Sequence, residues 1–243
     1  MSRLSSIWPV VIVSALGILI LCGLGGWQLQ RLAQKQTLLA EMDRRSMAKP
    51  IDLTEAIGLH NSGENVEYLK ISAKGRYLHD DEKHLIGVLD GNPAWEVVTP
   101  MLTADNTLVL VDRGLVPDGM RDPATRAENN PAADVEVAGV LRGHREQRGP
   151  FIPDNDIKAN MWFWWDVPGM LESTAMPLGA KPVPFVLHVL PAEGGNGFPR
   201  PVTLQAALRN NHLQYAITWF GLALALAVIA GLFVSGQMKN SGA

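Results

Sequence analysis

One cysteine, Cys22, stands in the whole chain of 243 residues. It lies inside an apolar run, where a thiol acts as a small hydrophobe. That count excludes a disulfide framework, a CxxC redox pair and a thiolate metal centre. A basic excess is missing too. Lys and Arg number 21 against 24 Asp and Glu, for a formal net charge of −3, and no predicted face gathers cations, so the electrostatic footprint of a nucleic-acid binder is absent. No stretch matches HExxH, GxSxG or a phosphate-cradling glycine loop. Internal repeats and low-complexity tracts are lacking, as is any soft Cys/Met cluster suited to copper delivery.

What the chain has instead is two long uncharged runs, Ile7 to Trp27 ("IWPVVIVSALGILILCGLGGW") and Tyr215 to Val234. Each matches the roughly 20 residues that a helix rising about 1.5 Å per residue needs to cross about 30 Å of hydrocarbon. Both are predicted to span a bilayer. The first exceeds the roughly 7 to 15 apolar residues of a signal peptide and no small-x-small cleavage site follows it, so it reads as an anchor. Two spans leave both short ends on one side and the long connection on the other. Arg31, Lys35, Arg44 and Arg45 outnumber Arg3 and Lys239, which by count alone would hold the connection in the cytoplasm. The charge rule loses its force for loops longer than about 60 residues, however, and does not fix the orientation.

Between the spans the pattern changes. Leu29, Leu32, Ala33, Leu39 and Ala40 continue a helical period past Trp27, which predicts a stalk. Asp52-x-x-Glu55 has the form of a capping box opening a short helix. Seven short segments follow that are rich in β-branched and aromatic residues and bounded by Gly, Pro, Asn and Asp: "VEYLKISAKGRY", "HLIGVL", "WEVVTPML", "TLVLVDRGLVP", "VEVAGVLRG", "MWFWWDV" and "PFVLHVL". With almost no helix between them, they predict a mostly antiparallel sheet or barrel. The fold class expected is a membrane protein with two transmembrane helices flanking a mainly β (α+β) extramembrane domain. Its segments are a short N-terminus at 1–6, a first span at 7–27, a helical stalk at 28–49, the mainly β domain at 50–208, an interfacial segment and second span at 209–234, and a tail at 235–243.

Within the β domain the cluster most like an enzyme site is "HDDEKH", where His79, Asp80, Asp81, Glu82 and His84 could gather round a cation. No third ligand at fixed spacing accompanies it, and a solvated turn explains the same residues. His188 in "FVLHVL" reads as a core or face-alternating histidine; His60 and His144 fall in polar loops. In "MWFWWDV", strand alternation would put Trp162, Trp164 and Asp166 on one face and Phe163, Trp165 and Val167 on the other. One face would fill the core and the other would pack on a membrane surface, a partner or the stalk.

Five collinear pieces, "GGWQLQRLAQKQTLL", "GNPAWEVVTP", "VLVDRGLVP", "FIPDNDIKANMWFWWD" and "NNHLQYAITWF", together resemble the Surfeit locus protein family, cytochrome c oxidase assembly factors. Two departures are local: Ala94 and Trp95 stand where the family often has glycine and tyrosine, and Leu115 where it often has tryptophan. The resemblance implies a multi-pass protein of the cell inner membrane, or of the mitochondrial inner membrane in a eukaryote. Its large domain would lie in the periplasm or intermembrane space, with residues 1–6 and 235–243 on the cytoplasmic side in a bacterium. Only six residues precede the first span, leaving no room for a presequence unless one has already been removed. The resemblance also implies a part in supplying haem a to the oxidase catalytic subunit, with haem a synthase as a second partner, and with the histidine at the start of the second span, here His212, as an iron ligand.

Haem a is a flat apolar macrocycle with an isoprenoid tail and two ionised propionates, so a carrier should combine lipid depth with cations at the headgroups. At about 100° per residue, Arg209, His212, Tyr215, Ala216, Trp219 and Ala223 share one helix face. His212 is the expected axial ligand. Arg209, one turn outward, and Arg31, leaving the first span at the same surface, are expected propionate partners, with Tyr215 or Trp219 against the ring; these four roles come from the spacing. A competing view uses the same face for packing: Ala216, Ala223, Ala227 and Ala230 against Cys22-x-x-x-Gly26 would let the helices approach closely, with His212 only capping or hydrogen-bonding. Three functions stay open: a non-enzymatic haem a chaperone, a scaffold for oxidase subunits or haem a synthase that does not touch haem, and a membrane-anchored enzyme using "HDDEKH". Self-association into a homo-oligomer is open as well.

Overall fold

The computed structural model describes residues 7–143, 148–191, 197–202 and 211–239. The chain forms two compact units, Met1–Glu41 with Leu208–Ala243, and Met42–Ala207.

The first unit is helical. Helix α1 runs over Ile7–Ser46, so the apolar span continues without a break into the expected stalk. At about 1.5 Å per residue it reaches about 60 Å. Its second helix, the last of the chain, covers His212–Lys239. Both are long and apolar enough to cross a membrane, and most of their large apolar side chains, such as Leu16, Leu19, Leu224 and Ile229, face outward. A soluble helix would bury such a surface; a bilayer accepts it.

The second unit is built on strands. A two-residue strand β1 (Ile51–Asp52) leads into helix α2 (Leu53–Asn61), whose N-cap is Asp52. The Asp52 carboxylate accepts from the Thr54 amide at 2.7 Å, which satisfies one of the helix's orphan N–H groups. The expected helix start is found, although the bond goes to the second helical residue and not to Glu55. Strands β2 (Lys70–Tyr77), β3 (Lys83–Leu89), β4 (Asn92–Thr103), β5 (Thr107–Pro117), β6 (Val135–Arg142) and β7 (Lys181–Val189) follow. The sheet order is β1-β2-β6-β7-β5-β4-β3, and a further β2–β4 pairing closes a five-stranded barrel, β2-β6-β7-β5-β4, back on itself. This is a Greek-key barrel of the OB type. Closure removes the exposed strand edges of its five members.

Gly75 marks the corner of that closure. It is the last residue of β2 paired to β6, opposite Val135, and the first paired to β4, opposite Thr103. A Cβ there would lie 2.5 Å from the Leu102 carbonyl oxygen, so the seam needs a residue without a side chain. Not every pairing is antiparallel: β5 and β7 run parallel. Strand β5 is buried along nearly its whole length because both of its faces are covered. Inward, Val109 and Val111 join Ile71, Met101, Phe185 and Leu187 in the barrel core. Outward, Leu110 joins Leu85, Val98, Val186 and Trp162 in a second core.

The second core corrects the reading of "MWFWWDV" as a strand. Only Met161 and Trp162 form bridges, to Asp156 and Leu85. The Asn155 side chain accepts the backbone N–H groups of Phe163 and Trp164 at 2.7 and 3.3 Å, so the chain leaves the ladder with its donors already satisfied. Helix α3 (Val167–Glu172) starts immediately after, capped by Asp166. Trp162 is 1% exposed and Trp165 packs against the second core. The segment is therefore a lid over the outer face of the barrel, and its two-faced alternation does not exist.

Candidate functional site

In the helical unit, His212 is the first residue of α4 (His212–Lys239) and is half-buried. Its Nδ1 lies 2.7 Å from Oε1 of Gln28 on α1. An amide oxygen only accepts, so Nδ1 carries the hydrogen and donates it, which leaves the lone pair of the neutral ring on Nε2. Gln28 itself is only 9% exposed. Deeper along the pair, a Cβ on Gly25 would come within 2.7 Å of the Phe220 ring and one on Gly17 within 3.0 Å of Leu226. Ala216 and Ala223 are buried here. Small residues thus do let the helices approach at Ala216 and Ala223, but Ala227 is exposed and Ala230 only half-buried, and the α1 partners also differ from those expected. Cys22 is exposed, and nothing lies within 4 Å of a Cβ on Gly26, so Gly17 and Gly25 take the place of the Cys22/Gly26 pair.

Among the other expected site residues, Trp219 is half-buried and Tyr215 is exposed, on the same end of α4 as His212. Arg31, one turn beyond Gln28, is exposed; its guanidinium lies 5.8 Å from the Trp27 ring and donates to Gln34 Oε1 at 3.1 Å. Arg209 lies outside the described residues, as does His144. Gln28 was not singled out in the sequence. Its one signal in the sequence is a polar residue directly after Trp27 at the end of an uncharged run, where the helical repeat of the stalk begins.

In the barrel unit, "HDDEKH" does not assemble round a point. Asp80 is exposed, His79 Nε2 meets the Pro131 carbonyl at 3.0 Å, and Asp81 accepts from the Ala175 amide. Glu82 turns inward to a buried ion pair with Arg126, flanked by His84 Nε2 at 2.8 Å and Arg113 at 3.8 Å. Burial works to raise the Glu82 carboxyl, but hydrogen bonds from His84 and Arg126 and their charges more than offset it, holding the group below the ordinary carboxylate range. A carboxylate already neutralised by guanidinium is a structural anchor. His60, expected in a loop, lies in α2 with its ring edge-on to Phe185 at 5.6 Å.

A second polar cluster was not foreseen. His188, read from the sequence as a core or face-alternating histidine, pairs through Nδ1 with Asp112 Oδ2 at 2.6 Å. Glu96 joins them, the three donor atoms lying within 4.8 Å of one another. Its residues come from β4, β5 and β7, too far apart in the chain for a spacing motif to show.

The SURF1 family profile matches residues 15–224. The chain belongs to the SURF1 family. Relatives of this SURF1 family member include mouse Surfeit locus protein 1, 33% identical over 227 residues, covering 85% of this chain and 70% of the mouse protein. The human Surfeit locus protein 1 is 31% identical over 225 residues, with 85% of this chain and 71% of the human protein covered. A SURF1-like protein of Rickettsia bellii is 32% identical over 221 residues, covering 88% and 86%. The family match takes in Gln28 and His212 together with the whole barrel. Ala94, Trp95 and Leu115 lie on the β4–β5 hairpin. There Trp95 Nε1 donates to Asp118 at 2.7 Å beneath the Arg121 guanidinium, and the Leu115 backbone pairs with Arg200.

Proposed function

We propose that this chain is a cytochrome c oxidase biogenesis factor that binds haem a through His212 and assists its delivery to the oxidase catalytic subunit. The observation that carries the reading is the His212–Gln28 hydrogen bond. Iron-ligating histidines are commonly fixed by a hydrogen bond from the opposite ring nitrogen, which sets the tautomer and the ring orientation. Here the opposite nitrogen is held by a buried amide on the facing helix, and Nε2 keeps the lone pair an axial ligand needs. The residues around it fit the group: Trp219 and Tyr215 supply aromatic surface on α4, and the two apolar helices supply depth for an isoprenoid tail. Arg31 and Arg209 are the cations proposed for the propionates. When bound, the haem contributes an iron centre in transit; this chain's part is to orient the imidazole and to shield the ring.

The same reading places the protein in the inner membrane as a two-span protein with the barrel on the periplasmic side, receiving haem a from its synthase. Absorbance spectroscopy of the full chain purified from cells that make haem a synthase tests it. The wild type should carry a Soret band, His212→Ala should lose it, and Gln28→Leu should weaken it and shift its pH dependence, since the imidazole loses its fixed tautomer. A wild-type protein without a Soret band, or a His212→Ala protein with an unchanged one, refutes the ligand role and leaves the scaffold reading, which the close packing at Gly25 and Ala216 equally supports.

A further inference from the structure

On the outer face of the barrel, three side chains from three strands converge. Asp112 on β5 and His188 on β7 are direct partners in the parallel register and are 3% and 8% exposed. Glu96 reaches the same point from β4, one residue before the bulge at Val97/Val98. We propose that Glu96, Asp112 and His188 form a binding site for one zinc-type divalent cation, which staples β4, β5 and β7 together. The proposal is independent of the haem reading.

The donor set suits that class of ion. One imidazole and two carboxylates are borderline to hard ligands, and three protein donors plus a water complete a tetrahedral zinc shell. At metal–ligand distances of about 2.0–2.2 Å, tetrahedral donors stand roughly 3.3–3.5 Å apart. The donors already lie within 4.8 Å of one another, with Asp112 and His188 at 2.6 Å, so side-chain rotations of under about 1 Å would admit the ion. The surroundings hold the ligands in place. Asp112 Oδ1 accepts from the Gly114 amide at 2.9 Å, which fixes the carboxylate with Oδ2 turned to His188. The Trp165 ring lies tilted against the imidazole, centroids 5.4 Å apart and planes at 49°, as an apolar wall does round a metal site.

The charge balance points the same way. Two neighbouring carboxylates face one imidazole, with the Arg142 charge also acting on Glu96. Burial first, and then the Asp112 charge, push the Glu96 carboxyl well above the ordinary carboxylate range. An entering cation takes the place of the hydrogen that His188 Nδ1 shares with Asp112 Oδ2, and the protons displaced from the cluster leave to solvent.

The test uses the tag-free full chain in detergent, stripped with chelator and titrated with zinc alone by calorimetry, with cobalt absorption as a second probe. One equivalent should bind to the wild type and to His212→Ala. Glu96→Gln should weaken binding about tenfold or more while the variant still unfolds cooperatively without metal. His188→Gln should weaken binding as well, and if that variant does not fold, Glu96→Gln decides the matter. A wild type that takes up no more zinc than Glu96→Gln, or uptake that disappears in His212→Ala, overturns the proposal and leaves a hydrogen-bonded proton site.

Discussion

Glu82→Gln should be among the most destabilising single changes in the barrel, and more so than Arg126→Met. Both side chains of the pair are 1% exposed. Arg126 grips Glu82 with two nitrogens, one of them Nη1 to Oε2 at 3.2 Å, and it donates through Nε to the Met120 carbonyl at 3.0 Å. Breaking a buried pair by removing one partner costs about 3–5 kcal/mol because the remaining charge is left uncompensated. The two partners leave different remainders. Without Arg126, Glu82 still has His84 at 2.8 Å, Thr99 at 3.3 Å and Arg113 at 3.8 Å, so the loss should fall near the lower limit, about 3 kcal/mol. Without the Glu82 charge, Arg126 and Arg113 face each other with no other counter-ion among the described residues, and the loss should approach about 5 kcal/mol. At about 2–4 °C per kcal/mol for a chain of this size, the melting temperature should fall by about 10 °C or more for Glu82→Gln. The double variant should cost at least about 1 kcal/mol less than the sum of the singles. Thermal unfolding of the full chain in detergent, followed by tryptophan fluorescence, measures all three. A Glu82→Gln cost below about 1 kcal/mol, or one smaller than that of Arg126→Met, would refute the reasoning. The sign with pH is also fixed: the folded Glu82 carboxyl titrates below its unfolded value. Its contribution is therefore full above about pH 4.3 and disappears as the pH falls through the folded pKa.

Glu96 should behave in the opposite sense. Its folded pKa is raised, so its contribution is full below about pH 4.3 and is lost as the pH rises through the folded value, with Asp112, His188 and Arg142 as the neighbouring charges. Urea midpoints of the metal-free protein should decline with rising pH in the wild type more than in Glu96→Gln; identical slopes would contradict this. Gly114→Ala should cost more than about 2 kcal/mol, since Gly114 sits at φ +105° and a Cβ would strike the Arg200 carbonyl. Amide exchange at Leu115 and Arg200, which bond each other at 2.8 Å, should rise in that variant, and retained protection would count against the close approach.

The legible parts of this chain are those where one period dominates. The helical repeat past Trp27 announces an α1 that continues to Ser46, and the β-branched run bounded by turn residues in "TLVLVDRGLVP" announces β5 over Thr107–Pro117. Asp52 announces its helix through cap chemistry that acts over two residues. "MWFWWDV" misleads because strand propensity describes side chains, whereas a strand needs a ladder. Asn155 takes the backbone donors of Phe163 and Trp164, and no period in those seven letters could reveal it. The parallel β5–β7 pairing is likewise a choice made across some 70 residues of chain. At the candidate site, His212 stood out because it is ionisable at the edge of an apolar span. Gln28 did not, because a neutral amide after a tryptophan is ordinary until the facing helix brings His212 to it.

Strand β7 lies between β6 and β5 in the closed ring, yet it is the last barrel strand in the sequence. The other four can pair as β6-β2-β4-β5, but β6 and β5 then present bare edges toward the same gap. The ring is completed by inserting a strand between two waiting edges, not by adding one to an end. Contacts made so late and across such separations are slow to form, and open edges invite pairing with other chains while they last. A chain made from its N-terminus should therefore pass through a vulnerable interval that ends only when Lys181–Val189 has emerged, and truncations or stalls before that point should aggregate rather than leave a smaller barrel.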